Sequence, residues 1–264
     1  MRLYDSHSHL DAPAFDGDRE AVVARAEAAG VVRQLVPAVA FRTWPALRDT
    51  CALRPGLKAA YGLHPMYLDE HRPEHLDALP GWIERERPAA VGECGLDFFV
   101  AGLDPEAQRR YFVRQLEIAR DVGLPVVLHA RRAVDEVIAT IRRVGGLRGV
   151  VHSWSGSDEQ AAQLFRLGFS LGIGGPVTFE RAQRLRRTVA TMPIDHLLIE
   201  TDSPDQPDAA RRGPIFDAAG QQLAPRLEAQ QPFGVASADR GGRRQSGLWL
   251  DDPGVGQDQR VDAG

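Results

Sequence analysis

The 264-residue sequence holds one lysine, Lys58, and two cysteines, Cys51 and Cys94. The lysine scarcity beside abundant arginine is read as the imprint of a GC-rich coding sequence. Two cysteines are too few for a disulfide framework, so a reducing compartment, the cytoplasm, is the default expectation. No apolar run approaches the length of about 18 residues that a membrane-spanning helix needs. No basic segment followed by an apolar stretch opens the chain, so no secretory signal is expected. A Gly-x-Gly-x-x-Gly turn after the first apolar run is also missing, which argues against a dinucleotide-binding sheet. Excess positive charge is lacking too. The net charge of −4 gives no global attraction to nucleic acid or an anionic membrane, so local groups must hold any anionic substrate. Neither a membrane nor a protein partner is expected.

What the sequence does have is alternation. Apolar, β-branched runs at 3–9, 32–39, 57–65, 89–97, 125–130, 149–154, 168–175 and 196–204 read as strands. Helical patterns fill the gaps at 18–29, 43–54, 73–87, 104–122, 134–144, 157–167 and 178–190. Asp104 and Pro105 open one helix that stops before Gly123, and Ser157 opens another that stops at Gly168. Eight strands alternating with helices predict an α/β fold, a TIM-like (β/α)8 barrel over residues 1–212, with a doubly wound open sheet as the runner-up.

The strand-like runs should be apolar throughout, yet most break that rule at their C-terminal ends. His7 and His9 end the first run, His64 the third, Glu93 the fourth, His129 the fifth, His152 the sixth, and Glu200 with Asp202 the eighth. Residues i and i+2 of a strand share a face, so His7 and His9 can grip one ion. In such a barrel the active site lies at the C-terminal ends of the strands. Burying so many imidazoles and carboxylates unpaired is costly, and a cation between them is the economical explanation. Imidazole and carboxylate without thiolate suit Mg, Mn or Zn. A central carboxylate can bridge two cations, and a pair about 3.5–4 Å apart suits phosphate-ester hydrolysis. His71, His75 and His196 read as structural, and Cys94, facing away from Glu93, as core filler.

The motifs "DSHSHLD", "GLHP", "GECGLDF", "LHARRA", "VHSWSGS" and "ETDSPD" occur in that order. Together they resemble the TatD-type metal-dependent hydrolases of the amidohydrolase-like barrel superfamily, over about residues 1 to 212. The resemblance implies two divalent metal ions held by His7, His9, Glu93, His129, His152 and Asp202, with Glu93 bridging. It implies that Glu93 and Asp202 are catalytic, Asp202 taking a proton from the attacking water. His64 and Arg131 are implied as contacts to substrate phosphate, with Asp97 and Ser155 behind the ligands. The implied activity is that of a metal-dependent phosphodiester hydrolase, a deoxyribonuclease of the 3'-exonuclease type acting on DNA ends or single-stranded DNA. The alternatives are an ester hydrolase, such as a D-aminoacyl-tRNA deacylase, and a destabilised barrel without function. Relatives that bridge their metals with a carboxylated lysine are a poorer match, because Lys58 starts its strand at the opposite rim.

Residues 213–264 depart from the family pattern. The segment is rich in Gly, Gln, Arg and Asp and lacks sustained helical periodicity. It reads either as frameshifted text from a GC-rich gene or as a divergent, disordered extension. The expectation is an atypical tail that does not cover the first and eighth strands in the usual way.

Overall fold

The computed structural model describes residues 1–211, so the atypical segment 213–264 lies outside the described residues. Eight strands form one sheet: β1 (Leu3–Asp5), β2 (Val31–Pro37), β3 (Leu57–Tyr61), β4 (Ala90–Asp97), β5 (Val126–Arg131), β6 (Gly149–Val151), β7 (Phe169–Ile173) and β8 (Leu197–Ile199). All neighbouring pairs are parallel, and sheet order follows chain order. The helices are α1 (Arg19–Ala28), α2 (Trp44–Ala52), α3 (Pro73–Glu86), α4 (Pro105–Val122), α5 (Val134–Val144), α6 (Asp158–Arg166) and α7 (Gln183–Thr191). A doubly wound sheet would reverse its strand order at a switch point. This one never reverses, and β8 returns to β1 through Ser6 N–H to the Ile199 carbonyl (2.9 Å) and Asp202 N–H to the His7 carbonyl (2.8 Å). The fold is the nearly closed (β/α)8 barrel.

Local sequence explains the helix limits. The Asp104 carboxylate accepts the Glu106 N–H (2.9 Å), Pro105 takes the first helical position, and α4 stops at Gly123 with φ +71. Ser157 and Gln160 cap α6 reciprocally.

Two apolar layers share the strands. Outward residues such as Val36, Tyr61, Val91, Leu128 and Leu171 pack with Leu47, Leu79, Phe112, Leu116 and Leu164 of the helices. Inward residues Leu35, Ala60, Ala90, Val127 and Val150, with Leu198 against them, form a second, smaller cluster that fills the barrel floor. Several strands end sooner than expected: β1 at Asp5, β3 at Tyr61, β6 at Val151 and β8 at Ile199. The residues that follow leave the ladder at the upper rim. Ser153 (φ +48) and Asp202 (φ +53) even take left-handed backbone there.

Candidate metal centre

The inward register of the floor cluster carries upward. Two residues past Val127, Val150 and Leu198 come His129, His152 and Glu200, and four past Ala60 comes His64, so period-2 alternation points all of them into the barrel mouth. Glu93 breaks that arithmetic, because inward Ala90 should put residues 92 and 94 inward and Glu93 outward. A bulge resolves it: Val91 pairs with Val126 and Cys94 with Leu128, so β4 carries one extra residue. Glu93 thereby turns inward while Cys94 stays in the outer core. Gly92 makes the bulge possible. Its φ is +147, and a Cβ there would lie 2.6 Å from the Val127 carbonyl oxygen. Gly172 makes room of another kind, since a Cβ on it would lie 1.9 Å from Glu200 Oε2.

The donors converge on the buried Glu93 carboxylate. Its Oε2 lies 3.2 Å from His7 Nε2 and 3.7 Å from His9 Nε2. Its Oε1 lies 2.8 Å from His152 Nε2, 3.0 Å from His64 Nε2 and 3.1 Å from His129 Nδ1. Asp202 Oδ1 adds contacts of 3.5 and 3.6 Å to His7 and His9. Three groups of donor atoms result: His7–Glu93–His152, His7–His9–Asp202 and His64–Glu93–His129. Nitrogens face nitrogens, with His7 and His9 Nε2 3.2 Å apart and His129 Nδ1 and His152 Nε2 3.3 Å apart. Glu93 Oε2 accepts no hydrogen bond, and Nδ1 of His7, His9 and His152 makes none. Lone pairs crowded in this way fit divalent cations, and the nitrogen and oxygen donors suit Mg, Mn or Zn.

Without a cation the site is electrically tense. Burial pushes His7 and His64 down to about 4. Burial would lower His152 as well, but Glu93, Asp202 and Glu200 outweigh it and carry His152 up to about 10. Burial would raise Glu93, yet His152, His64 and His7 hold it well below the usual carboxylate range. For Glu200 burial outweighs the attraction of His152 and pushes it up to about 8, with Ser153 N–H donating to its Oε1 at 2.5 Å.

Hydrogen bonds behind the donors fix their roles. His129 Nε2 meets Asp97 Oδ2 at 2.8 Å, which leaves its Nδ1 lone pair for a cation. Asp97 Oδ1 accepts the N–H groups of Phe99 (2.8 Å) and Val100 (2.9 Å). His64 differs. Its Nδ1 accepts the Met66 N–H (3.1 Å), so the neutral ring carries its proton on Nε2, the atom aimed at Glu93. A protonated nitrogen has no lone pair for a metal, and His64 stands as a hydrogen-bond donor at the mouth. Arg131 is exposed at the end of β5 and Ser155 is exposed with its carbonyl held by Arg184 (2.6 Å). Lys58, exposed near the start of β3, points away from the donors.

Several supporting residues left no signal in the sequence reading. Gln108 and Gln115, two turns apart on α4, each clamp a backbone amide. Gln108 accepts from Asp97 N–H (2.8 Å) and donates to its carbonyl (2.9 Å). Gln115 does the same for Leu63 (2.7 and 3.1 Å), beside His64. His71 Nε2 donates to the His64 carbonyl (2.8 Å). Gln206 donates to Asp202 Oδ2 while accepting Ser153 Oγ–H (2.7 Å). Asp5, pushed up to about 6 by burial, accepts from His7 N–H and from both N–H and hydroxyl of Thr201, tying β1 to the end of β8. The only available clue was a polar residue on an otherwise apolar helix face, at 108 and 115.

Comparison with known proteins places this geometry. The family model described as TatD related DNase matches residues 4–226. The protein of Escherichia coli K12 named uncharacterized metal-dependent hydrolase YjjV is 42% identical over 212 residues, covering 78% of this chain and 81% of its own. The crystal structure of YjjV, a TatD homologue, matches with a TM-score of 0.76 at 37% identity, over 84% of this chain and 85% of that one. The Erwinia billingiae protein named 3'-5' ssDNA/RNA exonuclease TatD is 32% identical over 242 residues, 87% of this chain and 93% of its own.

Proposed function

The chain belongs to the TatD-related DNase family, and on that premise we propose that it hydrolyses phosphodiester bonds at the ends of single-stranded DNA, using two divalent cations. The observation that carries the reading is the division of Glu93: one oxygen faces His7 and His9, the other faces His129 and His152. A bridging carboxylate needs that division. His7, His9 and Asp202 would hold one ion, His129 and His152 the other.

Cations bound there would supply an acidified water and neutralise charge on the phosphate. The chain's own groups do the rest. Asp202, with Oδ2 tied by Gln206 and Oδ1 beside His7 and His9, is positioned to accept the proton of the attacking water. His64 Nε2–H offers a hydrogen bond to a phosphate oxygen, and its Nδ1 contact keeps that proton in place. Arg131, whose guanidinium lies over the Phe99 ring beside the mouth, adds positive charge close to the phosphate. The apolar floor keeps bulk water from entering beneath the site. Relatives named as ssDNA/RNA exonucleases support nucleic acid as the substrate class.

The test is a panel assay of the purified chain with Mg2+ or Mn2+. Single-stranded DNA with free ends is expected to shorten, and chelator is expected to stop it. Hydrolysis of a D-aminoacyl ester with DNA left intact would replace this reading with the ester-hydrolase one.

A further inference from the structure

Three of the six large apolar side chains exposed among the described residues flank the mouth: Met66 (43%), Tyr67 (36%) and Phe99 (47%). Phe99 is closely tied to the donors. Its N–H donates to Asp97, the carboxylate that holds His129, and Asp97 is the register partner of Arg131. The guanidinium carbon of Arg131 lies 3.7 Å from the Phe99 ring centroid, and that of Arg132 lies 4.6 Å from it. Consecutive strand residues face opposite ways. Both arginines reach one ring because β5 ends at Arg131 and Arg132 turns with φ +54. Some other arginines are spent on carboxylates, Arg42 on Glu70 and Arg109 on Glu136. Among the described residues neither Arg131 nor Arg132 has a carboxylate partner or a side-chain hydrogen bond.

We propose that Phe99, Arg131 and Arg132 form a subsite for the terminal nucleotide of a single strand, the base stacking on the Phe99–Arg131 platform and Arg132 binding a phosphate. This rests on the reading of the adjacent centre as one that acts on nucleic acid. An exposed ring beside two guanidiniums without carboxylate partners suits a base face and an anionic backbone together. It supplies locally the attraction that the net charge of −4 withholds. Stacking ignores base identity, so the subsite is tolerant of sequence.

The experiment measures binding of the full chain, in Mg2+, to phosphorothioate single strands that resist hydrolysis, with either normal or abasic terminal nucleotides. Ordinary strands are assayed for cleavage in parallel. Phe99→Ala is expected to weaken binding of the base-bearing strand by about 5- to 150-fold and to leave the abasic strand nearly unchanged, with Phe99→Trp restoring the difference. Arg132→Gln is expected to weaken both strands alike. Equal affinity of the parent protein for the two strands, or equal losses in Phe99→Ala, overturns the subsite. Base-dependent binding without cleavage of ordinary strands supports the subsite and overturns the hydrolase reading instead.

Discussion

The two halves of the donor ring are built differently. On the β4–β6 side, side chains do the orienting: Asp97 fixes His129, Phe99 and Val100 fix Asp97, and Gln108 clamps the Asp97 backbone. On the β1–β8 side, His7 and His9 have no hydrogen bond on Nδ1. Their places are set by main-chain ties across the barrel closure, His9 N–H to the Ser203 carbonyl (2.7 Å) and Asp202 N–H to the His7 carbonyl (2.8 Å), with Asp5 bridging to Thr201 beneath. On the β4–β6 side the His129 tautomer is chosen before any cation arrives, whereas His152 has no hydrogen bond on Nδ1. On the β1–β8 side no hydrogen bond on Nδ1 orients either imidazole, and the one donor held by a side chain is Asp202, through Gln206. Glu93, reaching into both halves, is the one residue that makes them a single site.

Removing that link should have the largest effect. Glu93→Ala is expected to empty both halves and abolish hydrolysis, since two cations would face each other across an unscreened gap. Elemental analysis finding parental metal content would separate the halves and end the bridging model. Next comes the β1–β8 side. Asp202→Asn keeps an oxygen for the metal but cannot take a proton, so the rate should fall about 10²–10⁴-fold with metal content nearly unchanged. A rate within a few-fold of the parent would put the base elsewhere.

Asp97→Asn tests the other half. Asparagine cannot accept from Phe99 and Val100 with one oxygen while presenting another to His129 Nε2–H. Metal affinity on the β4–β6 side is expected to drop about 10–100-fold, leaving the ion at His7, His9 and Asp202 in place. Equal losses in both halves, by competition titration, would contradict the difference between them.

The gentlest probe is pH. In the metal-free protein His152 is carried up to about 10, so at neutral pH a cation on its side must displace a proton. Affinity there is expected to rise about tenfold per unit between about pH 6 and 9. His7, at about 4, is already deprotonated in that range, so it adds no proton release on the β1–β8 side. Calorimetric titration in buffers of different ionisation enthalpy should find more protons released at the β4–β6 half than at the β1–β8 half. Equal release at both would erase the distinction.

How much of this was legible in the sequence varies by residue. The barrel was, because β-branched runs alternating with capped helices state their own periods, and α4 obeys its Asp104, Pro105 and Gly123 signals. The donors were as well, since His129 and His152 are polar residues at inward positions of apolar strands. What a period-2 pattern cannot say is which face a bulged strand presents. Alternation from Ala90 points Glu93 the wrong way, and only the extra residue against β5 turns it inward. Nor can sequence choose a proton's place on an imidazole. The Met66 N–H makes His64 a donor and Asp97 leaves the His129 Nδ1 lone pair free of a proton, and those partners meet only when β3, β4 and β5 lie side by side. The chain itself thus determined the elements, the rim and the types of atom that crowd it, because these follow from local propensity and spacing. The tertiary structure decided which lone pairs are free and which are spoken for, because that depends on groups far apart in sequence, such as Gln206 with Ser153 and Gln115 with Leu63.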